Sequence, residues 1–330
     1  MSNAGGVDAI VDWLVRGVPG AKTPADVVER MCAMLVEAGV PVDRCEALVR
    51  TLHPNVAGRR FVWTKGKPVD VLELTYAQTH DSSMDAYAIV DVFQTKTLAH
   101  RTLAGAHEPD LVRLRDDGYA DWIGAPFLFV SGEVHGIVFA SKRAFSDDDV
   151  AAIARLVDPL ARVAEIFALL RTATNLLNAY VGHDAGARIL SGQIQRGDTS
   201  SVRAVIWFSD LRGFTSMSST LPPQKIIATL NDVFDCQVPA IEKRGGEVLK
   251  FMGDGMLAIF PVVSEEDVGR RCDDALAAAK EAFVSLEALN QRRAAAGDIA
   301  VRFGVALHIG DIAYGNIGGA TRLDFTCIGP

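Results

Sequence analysis

The stretch that most constrains this chain is Glu247 to Phe260, where two apolar runs, EVLKFM and MLAIF, flank Gly253-Asp254-Gly255. Two β-prone runs joined by so short a Gly-containing connection have few alternatives to an antiparallel hairpin, because glycine supplies the backbone angles of a tight reversal. Asp254 then stands at the tip. Around the hairpin, Val202 to Ser209 reads as an apolar strand and Pro222 to Arg244 as a helix closed by Gly245-Gly246. Ser264 to Ala296 reads as a second helix and Ile299 to His308 as a further apolar strand. This order predicts a ferredoxin-like α+β sheet with helices on one face and the other face free for a substrate or a partner subunit.

Asp210 ends the first of these strands, so adjacent strands can bring it and Asp254 to one edge of the sheet. Carboxylates and waters suit Mg2+ or Mn2+, and a pair of such ions stabilises the attacking and leaving oxygens of an in-line phosphoryl displacement. Alone, an Asp in a Gly-flanked turn is usually just a turn residue. The functional reading of Asp254 therefore depends on Asp210.

Four blocks occur in order: FSDLRGFT from Phe208, LKFMGDGMLAIF from Leu249, HIGDIAYGNIG from His308 and RLDFTCIG from Arg322. Together they resemble the signature blocks of class III adenylate and guanylate cyclases, over a little more than a third of the chain. The resemblance implies that Asp210 and Asp254 bind two Mg2+ (or Mn2+) ions, with the Leu211 carbonyl as a further ligand. It implies ATP as substrate, attack of the ribose 3'-oxygen on the α-phosphorus, and pyrophosphate as leaving group. The backbone amides of Arg212, Gly213, Phe214 and Thr215, at a helix start, are candidates to hold the phosphates. The Arg212 side chain reads equally as an exposed neighbour or a triphosphate contact.

In this family a Lys just before the hairpin and an Asp or Thr in the last strand recognise adenine. Lys250 matches the first, and counting places Thr326 at the second, with Asp324 two residues away on the same strand face. Lys250 would donate to adenine N1 and Thr326 would accept from the exocyclic amine; guanine presents the opposite pattern at both atoms. Without the blocks, Lys250 and Thr326 would read as ordinary strand residues. Cys327 reads as a core residue and His308, at a strand end, as a structural histidine. The resemblance further implies a head-to-tail homodimer with the metal aspartates and the base-recognising pair of each site drawn from different subunits. The chain stops at Pro330, within the final block, before the Asn and Arg the family uses to stabilise the transition state, so turnover by this chain is expected to be impaired. A guanylate cyclase and a non-enzymatic cyclase-fold scaffold are the competing readings.

Before this domain, Thr23 to Gly39 reads as a capped helix. Cys45 to Leu52, Arg60 to Thr64, Val69 to Thr75 and Tyr87 to Phe93 read as strands, and Ala125 to Ser141 as a hairpin around Ser131-Gly132-Glu133. Ser146 caps a long helix with an apolar stripe through Leu156, Leu160, Val163, Ile166, Phe167 and Leu170, in which Pro159 is a candidate kink. Residues 20–145 resemble a GAF-type sensor in element order, with a small-molecule effector as the implied ligand; a dimerisation domain of another α+β fold is the alternative. Residues 1–19 are expected to be disordered or tag-like. Residues 146–200 form a signalling helix and connector broken at Gly182, Gly186, Gly192 and Gly197, read either as a transmitter or as a passive linker. Residues 201–330 are the catalytic domain.

The 330 residues are long enough for two domains, and their net charge of -8 disfavours general nucleic-acid binding, which needs clustered Lys and Arg. Five scattered cysteines without a CxxC pair argue against a disulfide framework or structural zinc, and the dispersed His53, His80, His100, His107 and His135 lack metal-ligand spacing. No apolar run reaches the roughly 18 residues of a membrane span, which makes a cytoplasmic location the expectation.

Overall fold

The computed structural model describes residues 3–50, 56–76, 87–319 and 322–329. Thr51, Leu52, His53, His80 and Pro330 lie outside the described residues. The chain divides into two compact units, Met1–Asn175 and Leu176–Pro330, both of mixed α and β structure. Among the described residues no helix is long and apolar enough to cross a membrane.

The first unit has a six-stranded antiparallel sheet, β1 (Arg44–Arg50), β2 (Gly58–Thr64), β3 (Asp70–Leu74), β4 (Ala99–Thr102), β5 (Asp121–Leu128) and β6 (Val134–Ser141), in the order β3-β2-β1-β6-β5-β4. Helices α1 (Asn3–Val15), α2 (Pro24–Glu37) and α5 (Asp147–Val181) cover one face, and α3 (Ala88–Thr95) and α4 (Pro109–Asp116) cover the other. Alternation along the β5–β6 hairpin feeds both layers. Ile123 and Phe139, opposite each other, enter the first core, while Trp122 and Ala140 enter the second.

Two expectations fail here. The amino-terminal segment is not disordered: α1 runs through it and buries Val7, Ile10, Trp13 and Leu14, whose helical spacing outweighs the Gly5-Gly6 start. Tyr87 to Phe93 is not a strand. Its β-branched residues lie on α3, which buries Ala88 and Val92, four apart, against Leu103 and Leu111.

Thr23 and Asp26 form a reciprocal capping box on α2, and Ser146 and Asp149 do the same on α5. α5 continues unbroken past Pro159. Its stripe is buried through Leu156, Leu160 and Val163, but Ile166 and Leu170 are 66% and 56% exposed. Gly182, at a φ of +99°, ends it and starts α6 (His183–Leu190), whereas Gly186 lies within α6 and breaks nothing.

The second unit is an antiparallel sheet in the order β11-β10-β7-β9-β8, built from β7 (Thr199–Leu211), β8 (Glu247–Met252), β9 (Gly255–Pro261), β10 (Phe303–Gly318) and β11 (Leu323–Ile328). Four of these strands have the ferredoxin-like arrangement, and β11 is added at the edge. Helices α7 (Phe214–Thr220), α8 (Pro223–Asp235), α9 (Val238–Glu242) and α10 (Asp267–Ala295) accompany it. The helix expected over 222–244 is interrupted, because Pro239 removes an amide donor at the start of α9. β10 starts later and runs much further than expected, absorbing the whole HIGDIAYGNIG block.

Small residues on α10, Ala275, Ala278 and Ala282, sit against Trp207, Met256 and Phe260 in the core between helices and sheet. The opposite face is not wholly open. α6 covers one part of it through Ala185, which joins Ala204, Ile259, Ile312 and Tyr314 in a second buried cluster. The Asp184 amide donates to Glu247 and the Arg188 guanidinium lies 5.4 Å from the Tyr314 ring centre, which fixes α6 there.

Candidate active site

The β8–β9 hairpin closes between Met252 and Gly255, leaving Gly253 and Asp254 as a two-residue loop. Gly253 takes a φ of +65°, the left-handed geometry a first loop position of this kind demands. Gly255 is needed for a different reason: a Cβ there would stand 2.9 Å from the Ser209 carbonyl oxygen of β7. That close approach sets the hairpin tip against the end of β7, where Asp210 lies opposite Gly255 on one side and Gly304 of β10 on the other.

The two carboxylates consequently meet. Partial burial, a hydrogen bond with the Asp210 side chain and that side chain's charge push the Asp254 carboxyl above its ordinary value, while the Leu211 amide, donating to Asp254, acts the other way. Among the described residues neither carboxylate forms an ion pair with a cation. Two oxygen-donor acids held together without a counter-charge are a donor set for a hard divalent cation, whose charge would relieve their repulsion. No cluster of three or more His, Cys, Asp and Glu suited to a metal occurs among the described residues.

After Leu211 the chain turns at Gly213, with a φ of +78°, into α7. The Gly213, Phe214 and Thr215 amides belong to its first turn. The Arg212 amide does not serve with them: it donates to the Arg302 carbonyl. The Arg212 side chain lies across Gly304, where a Cβ would come within 2.6 Å of its guanidinium. Gly304 thus gives Arg212 a bed beside Asp210, a role the sequence reading missed although a lone Gly in an apolar strand signals close approach.

On β8, Lys250 lies opposite Leu257 and its Nζ is 2.5 Å from the Asp324 Oδ2. Asp324 and Thr326 share one face of β11; Phe325 and Cys327 share the other, where Phe325 packs edge-on against Tyr314. The partner of Lys250 is therefore Asp324. Cys327 is half-buried in the cluster under α6, its thiol pushed up by burial and partly restored by the nearby Lys250 charge. His308 differs from expectation: it lies inside β10 opposite Ile206, and it is exposed rather than packed.

The profile of the adenylate and guanylate cyclase catalytic domain matches residues 198–328. Those residues form a class III cyclase catalytic domain. An adenylate cyclase of Anabaena cylindrica is 30% identical over 190 residues, 55% of this chain and 36% of that relative. Adenylate cyclase 1 of Rhizobium meliloti (strain 1021) is 30% identical over 126 residues, 37% of this chain and 18% of the relative. The chain thus covers less than two thirds of either curated relative. The crystal structure of the guanylyl cyclase Cya2 is 30% identical and superposes with a TM-score of 0.36, over 40% of this chain and 66% of that one.

In this cyclase domain the acidic pair and the Lys250–Asp324 pair share no residue. Lys250 is engaged by Asp324. The family carries a two-metal mechanism in general. In this chain the residues that would hold the ions are Asp210 and Asp254.

Proposed function

We propose that the cyclase domain converts ATP to cyclic AMP and pyrophosphate, in a head-to-tail homodimer regulated by the preceding unit. The carrying observation is the Lys250–Asp324 pair, which sets a hydrogen-bond donor on β8 beside an acceptor on β11, the two edge strands of the sheet. The Lys250 ammonium donates to adenine N1, and Thr326 or Asp324 accepts from the exocyclic amine. Guanine, with a donor at N1 and an acceptor at O6, would oppose like groups at both atoms and leave buried polar atoms unpaired. The names of the Anabaena and Rhizobium relatives support the same substrate.

Asp210 and Asp254, with the Leu211 carbonyl, would hold the metal ions. Bound divalent cations lower the pKa of the ribose hydroxyl and neutralise the triphosphate. The Gly213, Phe214 and Thr215 amides orient the phosphates at the start of α7, so that the protein contributes chiefly position and charge. Assembly of each site from two subunits is supported by Phe208, an aromatic 46% exposed two residues before Asp210 on the face away from α10.

Residues 20–145 are read as a GAF-like effector domain, 146–200 as the signalling helix and connector, and 201–330 as the catalytic domain. The test is a product assay with Mn2+ and either ATP or GTP, on a chain continued past Pro330, with Asp210→Ala as control. Cyclic AMP in excess over cyclic GMP, lost in the control, is expected; no cyclic nucleotide from either substrate refutes the proposal.

A further inference from the structure

The first unit contains a cavity of about 460 Å³ bounded by α2, α5 and the strands β1, β2, β3, β5 and β6. The volume lies within the roughly 300–1,000 Å³ of small-molecule sites. Its walls are apolar, with Val28, Val49, Phe61, Phe127, Leu160 and Phe167 among them. Among the described residues its charged lining has one sign: Lys22, Arg59 and Arg171 contribute to it and no carboxylate does. Arg59 is ion-paired with Glu73, which also acts on Arg171, and Asp26 lies beside Lys22, so the three cations outnumber these two carboxylates by one. Desolvation and the adjacent Arg59 hold the Arg171 guanidinium below its ordinary value, with Glu73 acting the other way. The excess cation favours a further anion here.

This combination selects a ligand class. A nucleotide would bury base edges and hydroxyls against walls whose uncharged polar side chains, among the described residues, are Thr23 and Thr174, at a cost for each unpaired group. A neutral hydrocarbon would fill the walls but leave the excess cation unanswered. We infer that the first unit binds a single-chain anionic amphiphile here, with its apolar body between α2, α5 and the sheet and its carboxylate or phosphate head at Arg171 and Lys22. The inference rests on the reading of this unit as an effector domain. α5 supplies the lining from Leu160 to Thr174 and continues as one helix to Val181, so the ligand bears on the segment that leads into α6.

The experiment is calorimetric titration of the full chain with palmitate, hexadecyl phosphate and 1-hexadecanol, each below its aggregation concentration. Palmitate, hexadecyl phosphate or both should saturate at one per chain, and the two arms identify the head group. The neutral alcohol should bind at least tenfold more weakly than the better anion, as a lost charge-assisted hydrogen bond requires. Arg171→Leu should cost that anion at least tenfold and change the alcohol less than twofold. Ala164→Phe, and separately Ala168→Phe, should fill the cavity and abolish binding while unfolding stays cooperative. No saturable binding of either anion, equal affinity for the alcohol, or undiminished binding in both filled variants overturns the inference. So does a chain dimer that excludes palmitate from the groove, seen by sedimentation. Binding is read directly, so it is distinguishable from the effector reading, which fails if bound amphiphile leaves the cyclase rate unchanged.

Discussion

Asp254→Asn separates a metal ligand from a turn residue, because the two roles predict opposite thermodynamics. In the metal-free protein Asp254 faces the Asp210 carboxyl, and its own carboxyl is raised from its ordinary value. A raised folded-state pKa stabilises the fold fully below the unfolded value and loses that contribution as pH rises through the folded one, so at neutral pH the pair is a net repulsion. The pair is open to solvent, which limits the effect to about 0.5 kcal/mol. In EDTA at pH 7, Asp254→Asn should therefore equal or exceed wild type in stability by about that amount. Mn2+ at a hundred times its dissociation constant should stabilise wild type by about 2.7 kcal/mol and leave the variant unchanged. Denaturant unfolding of the catalytic unit, with and without Mn2+, reads both quantities. A variant more than 1 kcal/mol less stable in EDTA, or stabilised by Mn2+ as much as wild type, would refute the reasoning and return Asp254 to a structural turn held by the Leu211 amide.

Other predictions follow from single contacts. Lys250→Glu should lower kcat/KM for ATP at least tenfold and shift the ATP-to-GTP ratio toward GTP, as initial rates of the two cyclic products would reveal. Ser146→Ala removes one half of the α5 capping box and should cost the first unit about 1 kcal/mol by denaturant titration. Gly315→Ala would put a Cβ 2.0 Å from the Asp198 carbonyl oxygen, and should destabilise the second unit by about 3 kcal/mol or more in the same assay. His135 is buried, accepts from the Arg50 amide and has its pKa lowered by desolvation, so its contribution is present above the ordinary value of 6.5 and lost as pH falls through the folded one. The first unit should lose stability on acidification below about pH 6.5, and His135→Asn should flatten that slope.

What could be read from the chain was local. The β8–β9 hairpin follows from glycines between apolar runs, and the capped starts of α2 and α5 follow from Thr23-Pro24-Ala25-Asp26 and Ser146 with Asp149. Where β-branched residues fill a short helix, as in α3, propensity misleads, since Ala88 and Val92 are committed by burial against Leu103 and Leu111. β10 hid its length because Gly310, Gly315 and Gly318 interrupt the apolar pattern after His308, whereas β7 and β11 pair across them. Long-range partners were not legible: Lys250 and Asp324 are 74 residues apart, and nothing in either segment selects Asp324 over Thr326 as the partner of Lys250. The cavity of the first unit was likewise invisible, because its lining comes from α2, five strands and α5, each of which reads alone as ordinary core.

The most direct test of the central claim is the product formed from equimolar ATP and GTP with Mn2+ by a chain continued past Pro330, separated chromatographically. Cyclic AMP as the main product, abolished by Asp210→Ala and by Asp254→Asn, is the predicted result; cyclic GMP as the main product, or cyclic AMP formed equally well by both variants, would contradict it.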